Sequence, residues 1–447
     1  MRGSSIRPVR LIAMLTLCAL LAVACGGGGS EGADDAGQSE GGESASGTTG
    51  GTGEPVELEI WAQEEWMLPP DNFAGFMEEY PNITVKTDLR PEADQLQQMQ
   101  SRKAAGQPLP DLVQDDTFML EAHMNAGNAV PLDEWKDRWE EEDPDTFDDL
   151  MPTAWDENVI DGDTMSLTLL ANMEGLFYNV AWFEEAGVDP AEIDSLDALL
   201  EAMRALKETR PDGIPLSLTA MPSEGVTSQK AFMVAVGAEF EGAIPNLSSE
   251  GALYVIDWFK TAAQEELLPK SAIAWSGGEA QGAFLGDQAA MIIDGIHASG
   301  DFAAEPGFEH GTDWSMFPIP TSRSGDEQDG NTANAPWTWF MTPDADAPYE
   351  ASLAMRYINS QLVEMALAGA GTFRNTEALD DPRLTEAWPF WGDNFKASYL
   401  DSVPTPAGLN GGEVEGVLEE LFGEVISGTD ATAQELADKY QPLLDEL

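Results

Sequence analysis

Thirteen tryptophans in 447 residues, against three histidines and two cysteines, limit the chemistry this chain can perform. His123, His297 and His310 are not spaced as a helical metal pair, so neither a zinc site nor a Ser-His-Asp enzyme is expected. From Val56 onward the chain has no Gly-x-Ser-x-Gly elbow, no Gly-x4-Gly-Lys phosphate loop and no Asp-x-Asp-x-Asp-Gly calcium loop; nothing demands a cofactor or a metal. Paired acids such as Glu64-Glu65 and Asp115-Asp116 have the residue types for glycoside hydrolysis. With 81 Asp plus Glu against 21 Lys plus Arg, chance alone yields many such pairs.

The tryptophans are the more informative surplus. Apolar sugar faces stack on aromatic rings while sugar hydroxyls need carboxylates and amides, so a carbohydrate cleft brings both types together. Trp61, Trp275, Trp337 and Trp391 are the candidate platforms. Trp135, Trp139, Trp155, Trp182, Trp258 and Trp314 read as structural.

These side chains need elements to hold them. Val56 to Trp61 alternates with period two and reads as a strand, Phe73, Phe76 and Met77 sit at helical spacing, and Ile83-Thr84-Val85 is extended again. This is a strand, helix, strand unit of a parallel sheet. A helix from about Pro91 to Gly106 leads to a short strand over Pro110 to Gln114. Asp115 and Asp116 then lie just past its carboxyl end, where open α/β sheets bind ligands. Met165 to Leu170 and Gly175 to Asn179 read as separate extended segments, and Ser195 as the N-cap of a helix with Leu196, Leu199, Leu200, Met203 and Leu206 on one face. Helices are expected near 249–266, 348–368, 413–426 and 431–440, the last stopping ahead of Pro442; Ala289 to Ile293 and Pro336 to Met341 read as strands.

The amino terminus carries Arg2, Arg7 and Arg10 before an uncharged stretch from Leu11 to Ala24, a secretory leader over residues 1–24. Leu21-Ala22-Val23-Ala24-Cys25 resembles a lipobox, which would place a lipid on Cys25, although Ala22 stands where that motif prefers Leu. Residues 25–55 are Gly, Ser, Thr, Asp and Glu with almost nothing apolar, the composition of a disordered tether. With Cys18 removed and Cys25 acylated, no thiol chemistry remains. The rest exceeds what one core usually serves, so two lobes are expected. The net charge of −60 excludes nucleic acid as a partner and points to a salt-adapted surface.

Phe76-Met77-Glu78-Glu79-Tyr80-Pro81-Asn82-Ile83, Ala104-Ala105-Gly106 ahead of Pro110-Asp111-Leu112, and Val130-Pro131-Leu132-Asp133 follow one another in order. After them come Gly175-Leu176-Phe177-Tyr178-Asn179 with Phe183 to Asp189, and Phe284 to Met291 with Asp294-Gly295. In that order, behind a lipoprotein-type leader, the chain resembles the extracellular solute-binding proteins of ATP-binding-cassette importers, in the carbohydrate group that contains the maltose-binding protein. The resemblance implies an α/β fold of two lobes, each a mixed sheet flanked by helices, joined by three hinge crossings near Asn172, Asp294 and Trp337. The first lobe would comprise 56–171 and 295–337, the second 172–294 and 338–447. It implies ligand contacts from Trp61, Gln63, Glu64, Asp115, Asp116, Asn172 and Glu174. Gly295-Ile296-His297 stands where many relatives carry a tryptophan, so His297 is a hydrogen-bonding candidate in place of a stacking one. Arg374, in a break between helices, is a candidate for a carboxylate. The implied protein is a monomer anchored outside the cell membrane that passes a small polar solute, a sugar, to permease subunits. A secreted glycoside-active enzyme and a sensory sugar-binding lipoprotein are the alternatives.

Overall fold

A computed structural model describes residues 53–447 apart from 223–225, 326–327, 392 and 407–409. The expected leader, Cys25 and nearly all of the tether lie outside the described residues. Eight strands carry the architecture: β1 Val56–Ala62, β2 Ile83–Leu89, β3 Leu112–Asp116, β4 Leu167–Asn179, β5 Ile214–Ser217, β6 Ala289–Gly295, β7 Trp314–Pro318 and β8 Ala333–Met341. Along the sheet they run β2, β1, β3, β8, β4, β6, β5, with β7 also on β4. β1 is parallel to β2 and β3, while β8 is antiparallel to β3 and β4. The result is a mixed α/β protein built on one mixed sheet with many helices.

β4 organises the whole. The sequence suggests two extended segments, but they are one continuous strand of 13 residues. Its first half, Leu167 to Met173, is laddered to β8; its second, Glu174 to Asn179, is laddered to β6 and β7. Only Tyr178 along its length is less than buried, because the strand is covered on both faces.

Two large cores flank it. One joins Leu58, Ile60 and Phe76 to Leu170, Trp339, Leu353 and Ile358. The other joins Leu196, Leu199 and Met203 to Phe259, Leu421 and Tyr440. Ser195 caps its helix as expected, accepting from the Ala198 amide. The helix Ala433–Leu444 runs through Pro442 instead of stopping ahead of it; in the final turn a missing N–H forfeits one bond without breaking the ladder behind it.

Two further packings complete the architecture. The helix Pro348–Ser360 packs on β1 and β8. β7 is laddered to the second half of β4, as β6 is.

Candidate ligand cleft

The seam of β4 opens onto a cavity of about 270 Å³. Asp116 ends β3, Asn172 precedes the switch point on β4, and Ala335 and Trp337 come from β8. Facing them are Glu174, Ile293 and Asp294, Gln281 of the helix Gly277–Leu285, Thr219 after β5, and Thr227 and Ser228 of the helix Thr227–Ala235. His297 lies just beyond β6.

Trp337 reaches this position beside an irregularity. The β8–β4 register slips between Trp337 and Thr338, leaving Leu169 as the extra residue on β4. Bulges of this kind re-aim side chains beside functional sites. Trp337 packs edge-on against Trp66, with centroids 5.2 Å apart, and Trp66 stacks on His297 at 6.1 Å with planes 3° apart. Trp66, His297 and Trp337 thus form an aromatic wall.

The polar wall is built differently. Glu174 is 8% exposed, and its one short-range helper is the Ser228 hydroxyl, donating across 3.4 Å. Burial, with the charge of Asp294 adding to it, pushes the Glu174 carboxyl up to about 8 against the pull of Ser228. Burial also raises Asp294 above the ordinary carboxylate range, opposed by His297 at 3.7 Å and by hydrogen bonds from Gln281 Nε2 at 2.9 Å and the Gly295 amide at 2.8 Å. Asn172 is 4% exposed, and among the described residues its Oδ1 and the Nδ1 of His297 have no hydrogen-bond partner. A Cβ at position 295 would fall 1.7 Å from Asn172 Nδ2, so Gly295 is what lets this amide sit at the seam.

Of the residues singled out from the sequence, Asp116, Asn172, Glu174, His297 and Trp337 meet at this cavity. Asp115 stands one shell back and is fully buried, accepting from Gln63 Nε2 at 2.8 Å and holding His123 Nε2 at 2.7 Å. Gln63 spends its amide on Asp115 and Asp116. Glu64 is exposed outside the cavity lining. Trp275 is half-buried, and its carbonyl accepts from the Thr219 hydroxyl, fixing a lining residue without lining the cavity itself.

Three residues expected at the ligand are elsewhere. Trp61 is 1% exposed, in a small core with Met99, Val113 and Phe340, with the guanidinium groups of Arg90 and Arg102 over its ring. Trp391 is 2% exposed among Trp388, Phe395 and Tyr399. Arg374 is 1% exposed and donates to Glu157 at 2.9 Å and to Asn334 of β8 at 2.8 Å, so it braces the strands and meets no solvent. Conversely, Trp66, Thr219, Thr227, Ser228 and Gln281 were not anticipated, and Asp294 was marked as a crossing only.

Comparison with known proteins agrees with this architecture. The chain is 27% identical over 211 residues to the xylose/arabinose-binding protein XacG of Haloferax volcanii, an alignment covering 45% of this chain and 43% of that relative. Maltose-bound MalE3 of T. maritima superposes with a TM-score of 0.72 at 16% identity, over 88% of this chain and 100% of that one. The GacH receptor of Streptomyces glaucescens, solved unliganded and with acarbose, gives 0.70 at 17% identity, over 88% and 99%. The family model of bacterial extracellular solute-binding proteins matches residues 59–361, and the chain belongs to that family.

Proposed function

We propose that the chain captures a small sugar in the β4 cleft by closure of its two lobes and delivers it, unaltered, to the membrane subunits of an ATP-driven importer. The carrying observation is one cavity lined by Trp337, backed by Trp66, together with buried Asn172 and Glu174 and half-buried Asp294. Aromatic faces and buried acceptors together are what sugar recognition requires. At about 270 Å³ the space sits near the lower end of ligand pockets, roughly 300 to 1,000 Å³, which suits a mono- or disaccharide. XacG, a xylose/arabinose-binding protein, and MalE3, solved with maltose bound, support the same class of ligand.

In this reading the hinge lies on β4 between Met173 and Glu174. The first lobe gathers β1, β2, β3, β8 and the helix Pro348–Ser360; the second gathers β5, β6, β7 and the helices after Asn410. Cys25 carries the lipid, residues 26–55 are the tether, and the body works as a monomer on the outer face of the cell membrane. No helix among the described residues is long and apolar enough to cross a membrane.

Catalysis is the weaker reading. Acid and base in a glycoside-cleaving pair are identified by environments that drive their pKa values apart. Burial drives Glu174 and Asp294 the same way. Thermal-shift and calorimetric titration with mono- and disaccharides in molar salt, followed by chromatography of the recovered sugar, decides the matter. A raised midpoint with sugar recovered intact is expected; cleaved sugar would refute the proposal.

A further inference from the structure

A line of hydrogen bonds runs from the cavity wall back through the protein to its surface. Asp116 lines the cavity, and its Oδ2 accepts from Gln63 Nε2 at 2.7 Å. The same amide nitrogen donates to Asp115 Oδ1 at 2.8 Å, an oxygen that also accepts from the Asp116 backbone N–H at 2.8 Å. Asp115 Oδ2 meets His123 Nε2 at 2.7 Å, and His123 Nδ1 meets Asn128 Nδ2 at 3.3 Å. Asn128 Oδ1 in turn accepts from Nζ of the exposed Lys103 at 3.2 Å.

The surface end of this line fixes the direction of every bond in it. An ammonium only donates, so the Asn128 oxygen faces Lys103 and the Asn128 NH2 faces the imidazole. His123 Nδ1 is then an acceptor, which leaves the ring hydrogen on Nε2, aimed at Asp115. Phe340 of β8 packs against the ring, with centroids 4.7 Å apart. Asp115, His123 and Asn128 have no exposed surface at all. A carboxyl buried this deeply is costly even when hydrogen-bonded, and apolar side chains of the same volume would pack these positions at less cost. Packing alone therefore gives no reason for the arrangement. Orientation of Asp116 does: Gln63 holds that carboxyl in one direction only while Asp115 holds Gln63, and Asp115 is itself held by His123.

We infer that His123 is a positioning residue for ligand capture, which acts through Asp115 and Gln63 to set how Asp116 presents its carboxyl to the cavity. The inference rests on the sugar-binding function proposed above. Calorimetric titration of D-glucose, D-xylose and maltose into the parent protein in molar salt selects the tightest of the three as the probe. His123→Leu fills the space without a donor and should weaken binding of that sugar about tenfold, whereas His123→Gln, which returns an N–H to Asp115, should stay within about threefold of the parent. With Asp116→Ala already in place, adding His123→Leu should change affinity by less than about twofold, because the group it positions is gone. A merely structural loss would be the same in both backgrounds, and thermal melts read it separately. Where His123→Leu does not melt cooperatively, Gln63→Leu, one link nearer the cavity, takes its place in the cycle with the same expectation. Equal losses with and without the Asp116 carboxyl, or a His123→Gln variant as weak as His123→Leu, overturn the inference and leave sugar capture standing. A parent protein that binds none of the three sugars overturns both.

Discussion

Replacing Glu174 with glutamine should make this protein more stable at neutral pH, and the size of the effect follows from where the carboxyl sits. Folded, the group titrates near 8; unfolded, it returns to the ordinary 4.5. Between those values the unfolded chain releases a proton that the folded chain keeps, so stability falls by about 1.4 kcal/mol per pH unit. The loss is nil below pH 4.5, about 3 kcal/mol at pH 7, and levels off near 5 kcal/mol above pH 8. Glutamine keeps the shape and never ionises. Glu174→Gln should therefore match the parent at pH 4.5 and exceed it by about 3 kcal/mol at pH 7. With an unfolding entropy of about 2.1 cal/mol/K per residue over roughly 390 folded residues, that corresponds to a midpoint gain of roughly 4 °C. Differential scanning calorimetry of both proteins from pH 4.5 to 8.5 in molar salt measures it. A difference that does not grow with pH, or a variant less stable than the parent at pH 7, would refute the burial argument.

Three further outcomes are expected. Trp61→Ala should cost about 3 to 5 kcal/mol of stability by emptying a packed site and leave sugar affinity unchanged, while Trp337→Ala should cost about 1.5 kcal/mol of affinity, roughly tenfold in Kd, with little loss of fold; melting curves paired with titrations separate the two. Gly295→Ala should abolish binding, because the new methyl displaces the Asn172 amide, and should lower stability by about 1 to 3 kcal/mol, read by the same pair of measurements. Raising salt from about 0.1 to 1 M shortens the screening length from about 10 to 3 Å, so the thermal midpoint should climb; a flat or falling curve would show that the −60 charge is not the burden it appears on paper.

The fold was legible because its signals are local and periodic. Alternation in Val56 to Trp61, the apolar face behind Ser195 and the short run at Ala289 to Ile293 each name their element. The cleft was less so. Trp61 closes its strand and reads as a stacking platform, yet a parallel sheet is covered on both faces, and the side opposite Leu58 and Ile60 meets Met99 of the next helix. Trp66 escaped notice because it lies in the short turn Glu65–Met67, which has neither a strand period nor a helical one. Arg374 finds Glu157 217 residues away, a pairing no local pattern announces. Among 81 acidic residues only burial separates Glu174 from the solvated majority, and burial is a property of the fold.

Because β4 pairs with β8 along its first half and with β6 and β7 along its second, it acts as a shared ruler between them. Side chains along a strand alternate, so adding or deleting one residue between Leu167 and Asn179 would turn every later position to the opposite face of the sheet. One half would keep its partners on β8 while the other presented inverted surfaces to β6 and β7. Length variation that loops absorb freely is thus barred from these 13 residues, and an insertion scan should find them the least permissive run in the chain.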